Sequence, residues 1–129
     1  MSKIALLLDR DGIINIDYGY VHNPLKGDFV KGIFELCQAA LAAGYFLIIV
    51  TNQAGIAHGY YSEATYLAFN RWLIAKFSQK QIKISHSFYC PYHQQAKLAR
   101  YKKASFNRKP QPGMIWQAQN KFNLNLNRS

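Results

Sequence analysis

No acidic residue follows Glu63. The six carboxylates of this 129-residue chain are Asp9, Asp11, Asp17, Asp28, Glu35 and Glu63, so carboxylate chemistry has to be sought in the first half. Cysteine is equally scarce, with only Cys37 and Cys90. Because Cys37 falls inside an expected amphipathic helix, no disulfide framework is expected and a reducing compartment fits. No run approaches the roughly 20 apolar residues of a membrane span, and the start lacks a charged-then-apolar leader with a small-residue cleavage site. The chain therefore reads as soluble and cytoplasmic, with no membrane partner. No repeat, linker or low-complexity block divides it, and its length suits one domain, 1–129, rather than two well-packed ones.

What is present is apolar and basic. Half the residues are hydrophobic, enough for a real core, and the net charge is +10. Lys80, Lys83, Lys97, Arg100, Lys102, Lys103, Arg108, Lys109, Lys121 and Arg128 make the second half a candidate for binding anions, either a phosphorylated substrate or nucleic acid. These residues form no helical stripe and match no nucleic-acid motif, so nucleic acid is not the expected partner and most of them read as solvated surface.

The run Ile4-Ala5-Leu6-Leu7-Leu8 is continuous rather than alternating, the pattern of a strand covered on both faces in a parallel sheet. It ends in Asp9-Arg10-Asp11-Gly12-Ile13-Ile14-Asn15, which delivers two carboxylates where open α/β sheets bind ligands. From Gly32 to Ala43, apolar positions Ile33, Leu36, Cys37, Ala40 and Leu41 recur at helical spacing, with Gly44 as a stop. Phe46 to Val50 is a second buried strand, and the two strands with the helix between them make one βαβ unit. Thr51-Asn52-Gln53 ends that strand as Asp9 ends the first. Ser62 is an N-cap for a helix to about Ser78, with Tyr66, Phe69, Leu73 and Phe77 as its apolar face. Ile82 to Tyr89 reads as a third strand, and a basic loop from Cys90 to Gln111 precedes a short helix around Pro112 to Phe122. The closing stretch from Asn123 is too rich in Asn to be read as helix.

Four motifs then carry a resemblance. Asp9 to Asn15, Asp17-Tyr18-Gly19-Tyr20-Val21-His22, Thr51-Asn52-Gln53-Ala54-Gly55-Ile56-Ala57-His58-Gly59 and Arg108-Lys109-Pro110-Gln111-Pro112-Gly113-Met114 resemble, in order and at sensible spacing, the signatures of the haloacid-dehalogenase-like (HAD) phosphatases. Within that superfamily they resemble the branch holding the histidinol-phosphate and heptose-bisphosphate phosphatases. The resemblance implies a three-layer α/β/α Rossmann-like fold with a parallel sheet of order 5-4-1-2-3. It also implies a phosphatase acting on a heptose bisphosphate, a precursor of lipopolysaccharide core sugars, or on histidinol phosphate or another small sugar phosphate.

It further implies roles for residues. Asp9 would be the nucleophile that forms an aspartyl-phosphate. Asp11 would be the general acid and base, and Lys109 would supply positive charge at the pentacoordinate state. Mg²⁺ would be held by the Asp9 carboxylate and the Asp11 backbone carbonyl. Thr51 and Asn52 would meet the phosphoryl group, Gln53 would bind substrate beside them, Arg108 would meet a second phosphate or sugar hydroxyls, and Tyr18, Tyr20 and His22 the substrate or only their own loop. His58 stands where relatives carry Arg, replacing a cation with a group mostly neutral at pH 7.

The chain departs from the pattern twice. Relatives carry a structural zinc loop, whereas this chain has Cys90-Pro91-Tyr92-His93 with Tyr92 at the usual His position and Ser105 and Asn107 in place of two cysteines. Zinc is therefore not expected, and the loop is expected to close by packing and hydrogen bonds or to be mobile. The fourth motif, a Gly-Asp pair with a further Asp, would fall beyond Ser129. On that comparison strands four and five are missing, the first strand is left as an open edge prone to self-association, and metal affinity is weakened. A silent form, or one needing another chain to complete it, stands beside the enzyme as an alternative.

Overall fold

The computed structural model describes residues 2–129, and its framework is a three-stranded parallel sheet of order β1-β2-β3. Strand β1 (Ala5–Leu8) leads through a long loop to helix α1 (Ile33–Ala42), strand β2 (Phe46–Asn52), a single turn α2 (Ala54–Ala57) and helix α3 (Glu63–Ser78). Strand β3 (His86–Cys90) follows, then the basic loop and helix α4 (Gly113–Phe122). Leu6 pairs with Leu47 and Val50 with Phe88, so the strands run in step with their carboxyl ends together.

Successive strand residues point to opposite faces, and that decides how the apolar runs are used. Leu47 and Ile49 pack on one side with Leu8, Ile33, Cys37, Phe69, Leu73 and Phe77, the buried faces of α1 and α3. Ile48 and Val50 pack on the other with Ala5, Cys90, Met114, Ala118 and Leu124, the buried face of α4. Each fully buried Leu, Ile or Phe here contributes about 2 kcal/mol of transfer free energy. The two cysteines are free thiols buried on opposite faces of the sheet.

The helix bounds follow the expected signals closely. Ser62 caps α3 by accepting a hydrogen bond from the Thr65 backbone at 3.1 Å, and Tyr66, Phe69, Leu73 and Phe77 are its buried residues. The third strand is shorter than expected and starts at His86 rather than Ile82. Ile82 and Ile84 are instead buried in the core ahead of it, because the chain at Gln81 turns with φ 58° before reaching the sheet. Helix α2 was not foreseen, since one turn is too short to show periodicity.

The expected open edge of β1 is covered over its first half. Asn123 takes a left-handed conformation after α4 and returns the chain alongside β1. Lys3 donates to the Asn123 carbonyl at 2.9 Å, its own carbonyl accepts from Asn125 at 2.7 Å, and the Ser129 hydroxyl accepts from the Ala5 backbone at 3.1 Å. Leu124 is buried beneath this pairing. By the alternation of a strand, the backbone of Leu7 faces the same edge further on. No helix among the described residues is long and apolar enough to cross a membrane.

Candidate active site

The carboxyl ends of β1 and β2 lie side by side, and the loops leaving them build a cleft of about 330 Å³ lined by Asp11, Tyr20, Gln53, His58, His93 and Arg108, among others. Asp9 follows the last residue of β1, and its side chain is 46% exposed. Its Oδ1 accepts from the Arg10 backbone at 2.8 Å and lies 3.0 Å from the Lys109 ammonium. That ammonium also donates to the Val50 carbonyl at 3.0 Å, so it is shared between the end of β2 and the carboxylate rather than swinging in solvent.

Lys109 is brought there by Asn52, the last residue of β2. The Asn52 carboxamide accepts from the Lys109 backbone N–H at 2.9 Å and donates to its carbonyl at 3.2 Å. Both ends of this amide are thus spent on the lysine backbone. Asn52 thus lines the cleft and at the same time clamps Lys109.

Asp11 is held differently from Asp9. Its Oδ1 accepts from Arg10 Nη2 at 2.8 Å and Nε at 3.2 Å, and from Asn15 Nδ2 at 3.1 Å. Among the described residues, its Oδ2 accepts from Gln53 Nε2 alone, at 3.3 Å. One oxygen thus carries three hydrogen bonds and the other a single longer one. The turn that sets this up needs Gly12, whose φ of 89° strains any side chain while its N–H donates to the Asn15 carbonyl at 2.8 Å.

Arg10 and Tyr61 belong to this arrangement and were not anticipated as site residues. Arg10 is 0% exposed, sits 4.8 Å from the centre of the Phe69 ring, and donates to the Val21 carbonyl at 2.6 Å. A buried guanidinium is tolerable only when paired, and Asp11 supplies the pair. Its place between two acids was the available sequence signal. Tyr61 is 8% exposed, and its hydroxyl donates to Gln53 Oε1. Burial pushes that phenol well above its ordinary range, so it stays a neutral donor. Nothing in the sequence marked it.

The other expected residues divide. Tyr20 and Arg108 line the cleft, as do His58 and His93, whose rings are 5.1 Å apart. Burial, and then Arg108 and His58, hold the His93 imidazole below its usual pKa. Thr51 is buried, with its hydroxyl against Gln53 at 3.0 Å, and Gln53 is committed to Asp11 and Tyr61. Gln53 also lines the cleft, and it contacts Asp11 while Thr51 contacts Gln53. Tyr18 lies outside this cleft, its hydroxyl donating to Asp28 at 2.7 Å, a bond that raises the phenol pKa. His22 uses Nδ1 on the Tyr20 carbonyl at 2.7 Å and stacks on Tyr61, so it braces the loop.

The region of the expected zinc loop is closed by hydrogen bonds. Ser105 Oγ accepts from the Asn107 backbone at 3.1 Å, and Asn107 Oδ1 accepts from Gln117 at 3.0 Å, tying the loop to α4. No group of three or more His, Cys, Asp or Glu among the described residues is arranged to hold a metal. Two hard oxygens remain uncommitted, Asp9 Oδ2 and the Asp11 carbonyl, neither of which accepts a hydrogen bond among the described residues. A magnesium ion, which keeps several waters and takes only one or two carboxylates, suits such a partial donor set.

A parallel sheet with two acids beyond its first strand and an asparagine-clamped lysine beside them is the arrangement that the resemblance to HAD-like phosphatases implies. Comparison with known proteins agrees. A D-glycero-alpha-D-manno-heptose-1,7-bisphosphate 7-phosphatase of Burkholderia mallei is 48% identical over all 129 residues, which match 68% of its length. A D-glycero-beta-D-manno-heptose-1,7-bisphosphate 7-phosphatase of Vibrio cholerae is 39% identical over 98% of the chain and 68% of its own length. Among solved structures, a HAD-like phosphatase of Mesorhizobium loti superposes with a TM-score of 0.89 at 30% identity, covering 95% of this chain and 59% of that one. The D,D-heptose 1,7-bisphosphate phosphatase of B. bronchiseptica, complexed with magnesium and phosphate, gives 0.78 at 26% identity, covering 98% and 66%. No protein-family model matches the chain. The chain belongs to the heptose-1,7-bisphosphate 7-phosphatase family of HAD-like phosphoric monoester hydrolases, and it spans about two thirds of the length of the relatives it matches.

Proposed function

We propose that this chain hydrolyses the 7-phosphate of D-glycero-D-manno-heptose 1,7-bisphosphate through an aspartyl-phosphate on Asp9. The observation that carries the reading is the 3.0 Å pairing of Asp9 with Lys109 beside an Asp11 whose Oδ2 carries a single hydrogen bond of 3.3 Å. One oxygen of the Asp9 carboxylate attacks phosphorus, forming an O–P bond as the bond to the sugar oxygen breaks, and Asp11 gives that oxygen its proton. Water then attacks the phosphorus, Asp11 takes the water's proton, and inorganic phosphate leaves with Asp9 restored.

Lys109 balances charge on the phosphoryl oxygens as the pentacoordinate state forms, at a position already organised by Asn52 and Val50. Arg108, on the cleft wall, is the fork for the distal phosphate or the sugar hydroxyls. The Asp9 carboxylate and the Asp11 carbonyl would hold Mg²⁺, which when bound offsets repulsion between the anionic nucleophile and the anionic phosphate.

The test is phosphate release from heptose 1,7-bisphosphate with magnesium on purified, folded chain, with Asp9→Asn as control and histidinol phosphate as a competing substrate. Release that vanishes in D9N supports the reading. A folded chain that releases nothing, or D9N retaining the activity, overturns it.

A further inference from the structure

The Tyr61 ring is held in a slot. One side of the slot is Gly55, where a Cβ would collide with the ring carbons of Tyr61, so only glycine lets the ring lie against the α2 backbone. Elsewhere on the ring, His22 stacks at 4.6 Å between centroids, with the planes 18° apart. Seated there, the hydroxyl donates to Gln53 Oε1. The amide nitrogen of Gln53 then faces Thr51 Oγ1 at 3.0 Å and Asp11 Oδ2 at 3.3 Å.

Direction matters in this chain of contacts. When ionised, the Asp11 carboxylate only accepts, so Gln53 must present its nitrogen, and the amide oxygen on the far side needs its own donor. Tyr61 is that donor, and it is buried, so no solvent molecule competes for the task. Asp11 Oδ1 is anchored separately by Arg10 and Asn15. Oδ2 therefore depends on Gln53, and Gln53 on Tyr61.

We propose that Tyr61 is a positioning residue for the phosphatase reaction: through Gln53 it sets the plane of the Asp11 carboxylate, and through His22 it ties that plane to the Asp17–His22 loop. The inference rests on Asp11 acting as the acid, as set out under the proposed function. Tyr61 touches no reacting atom, and its effect is confined to the two proton transfers that Asp11 performs.

Leaving groups separate this role from a merely structural one. A sugar alkoxide needs a proton to depart, whereas p-nitrophenolate does not. Tyr61→Phe should lower kcat for heptose bisphosphate by about tenfold, a fraction of the 10²–10⁴ that a general acid contributes. KM for the sugar should stay within about twofold, and so should the rate of aspartyl-phosphate formation from p-nitrophenyl phosphate, read as the burst of p-nitrophenolate, because only the later hydrolysis then calls on Asp11. Gly55→Ala, which displaces the ring by a different route, should show the same split. Equal loss of the aspartyl-phosphate formation rate on both substrates, or no loss on either, overturns the proposal. D9N keeps the two questions apart, because it should abolish both activities if the nucleophile is correctly assigned. The crystal structure of Y61F gives a readout independent of turnover: a rotated Asp11 carboxylate is expected, and an unmoved one overturns the proposal.

Discussion

Asn52 and Lys109, 57 residues apart in the chain, grip one another through a reciprocal pair of hydrogen bonds of 2.9 and 3.2 Å. The grip is between a side chain and a backbone, so it places the lysine without occupying its ammonium. The ammonium is then free to pair with Asp9. Asn52→Ala should therefore act on Lys109 rather than on the sheet. We expect kcat to fall by about tenfold or more, consistent with the cost of ångström-scale misplacement in a catalytic site, while the urea midpoint changes little. Steady-state kinetics beside an unfolding curve checks this.

Removal of divalent metal should silence the enzyme. Asp9 Oδ2 and the Asp11 carbonyl are a partial set of oxygens for a hard cation, so binding should be readily reversible. Phosphate release should stop in EDTA and return with excess Mg²⁺. Zinc analysis of the purified chain should read near zero, since hydrogen bonds of Ser105 and Asn107 close the loop. Stoichiometric zinc would contradict this account of that loop.

Arg10 joins stability to the site. It is fully buried, pairs with Asp11 at 2.8 Å and caps the Val21 carbonyl. Arg10→Met keeps much of the volume but leaves Asp11 without its strongest partner. We expect about 2–4 kcal/mol of lost stability, near the lower range for breaking a buried pair because Asp11 is partly exposed. Activity should fall with it. Urea titration of the folded variant measures the first effect and phosphate release the second.

Burial pushes the Cys37 thiol from an ordinary pKa of about 9 up to about 11. The folded state thus holds this proton more tightly than the unfolded chain. The corresponding stability is full below about pH 9 and is lost as the pH rises through about 11. Tyr89, raised to about 12 by burial and its bond to Glu63, adds a second loss that begins only above its ordinary value near 10. Unfolding free energy should therefore already decline between pH 9 and 10. Cys37→Ala should flatten that interval, whatever its effect on the plateau.

By itself, the sequence determined the strands, the helix faces and the two acids. These follow from local rules: a continuous apolar run is a strand covered on both sides, Ser62 is an N-cap, and Tyr66, Phe69, Leu73 and Phe77 recur at helical spacing. The motifs also named Asp9, Asp11, Arg108 and Lys109 as one site. Only the tertiary structure decided what the neighbouring side chains do. Asn52 faces the Lys109 backbone, Gln53 faces Asp11, and Tyr61 lies in the slot left by Gly55. Likewise, the Asn-rich tail reads as nothing until Asn123 turns it against Lys3. Each of these depends on hydrogen bonds whose partners are distant in the chain or whose direction is set by packing, and no local pattern encodes such a bond.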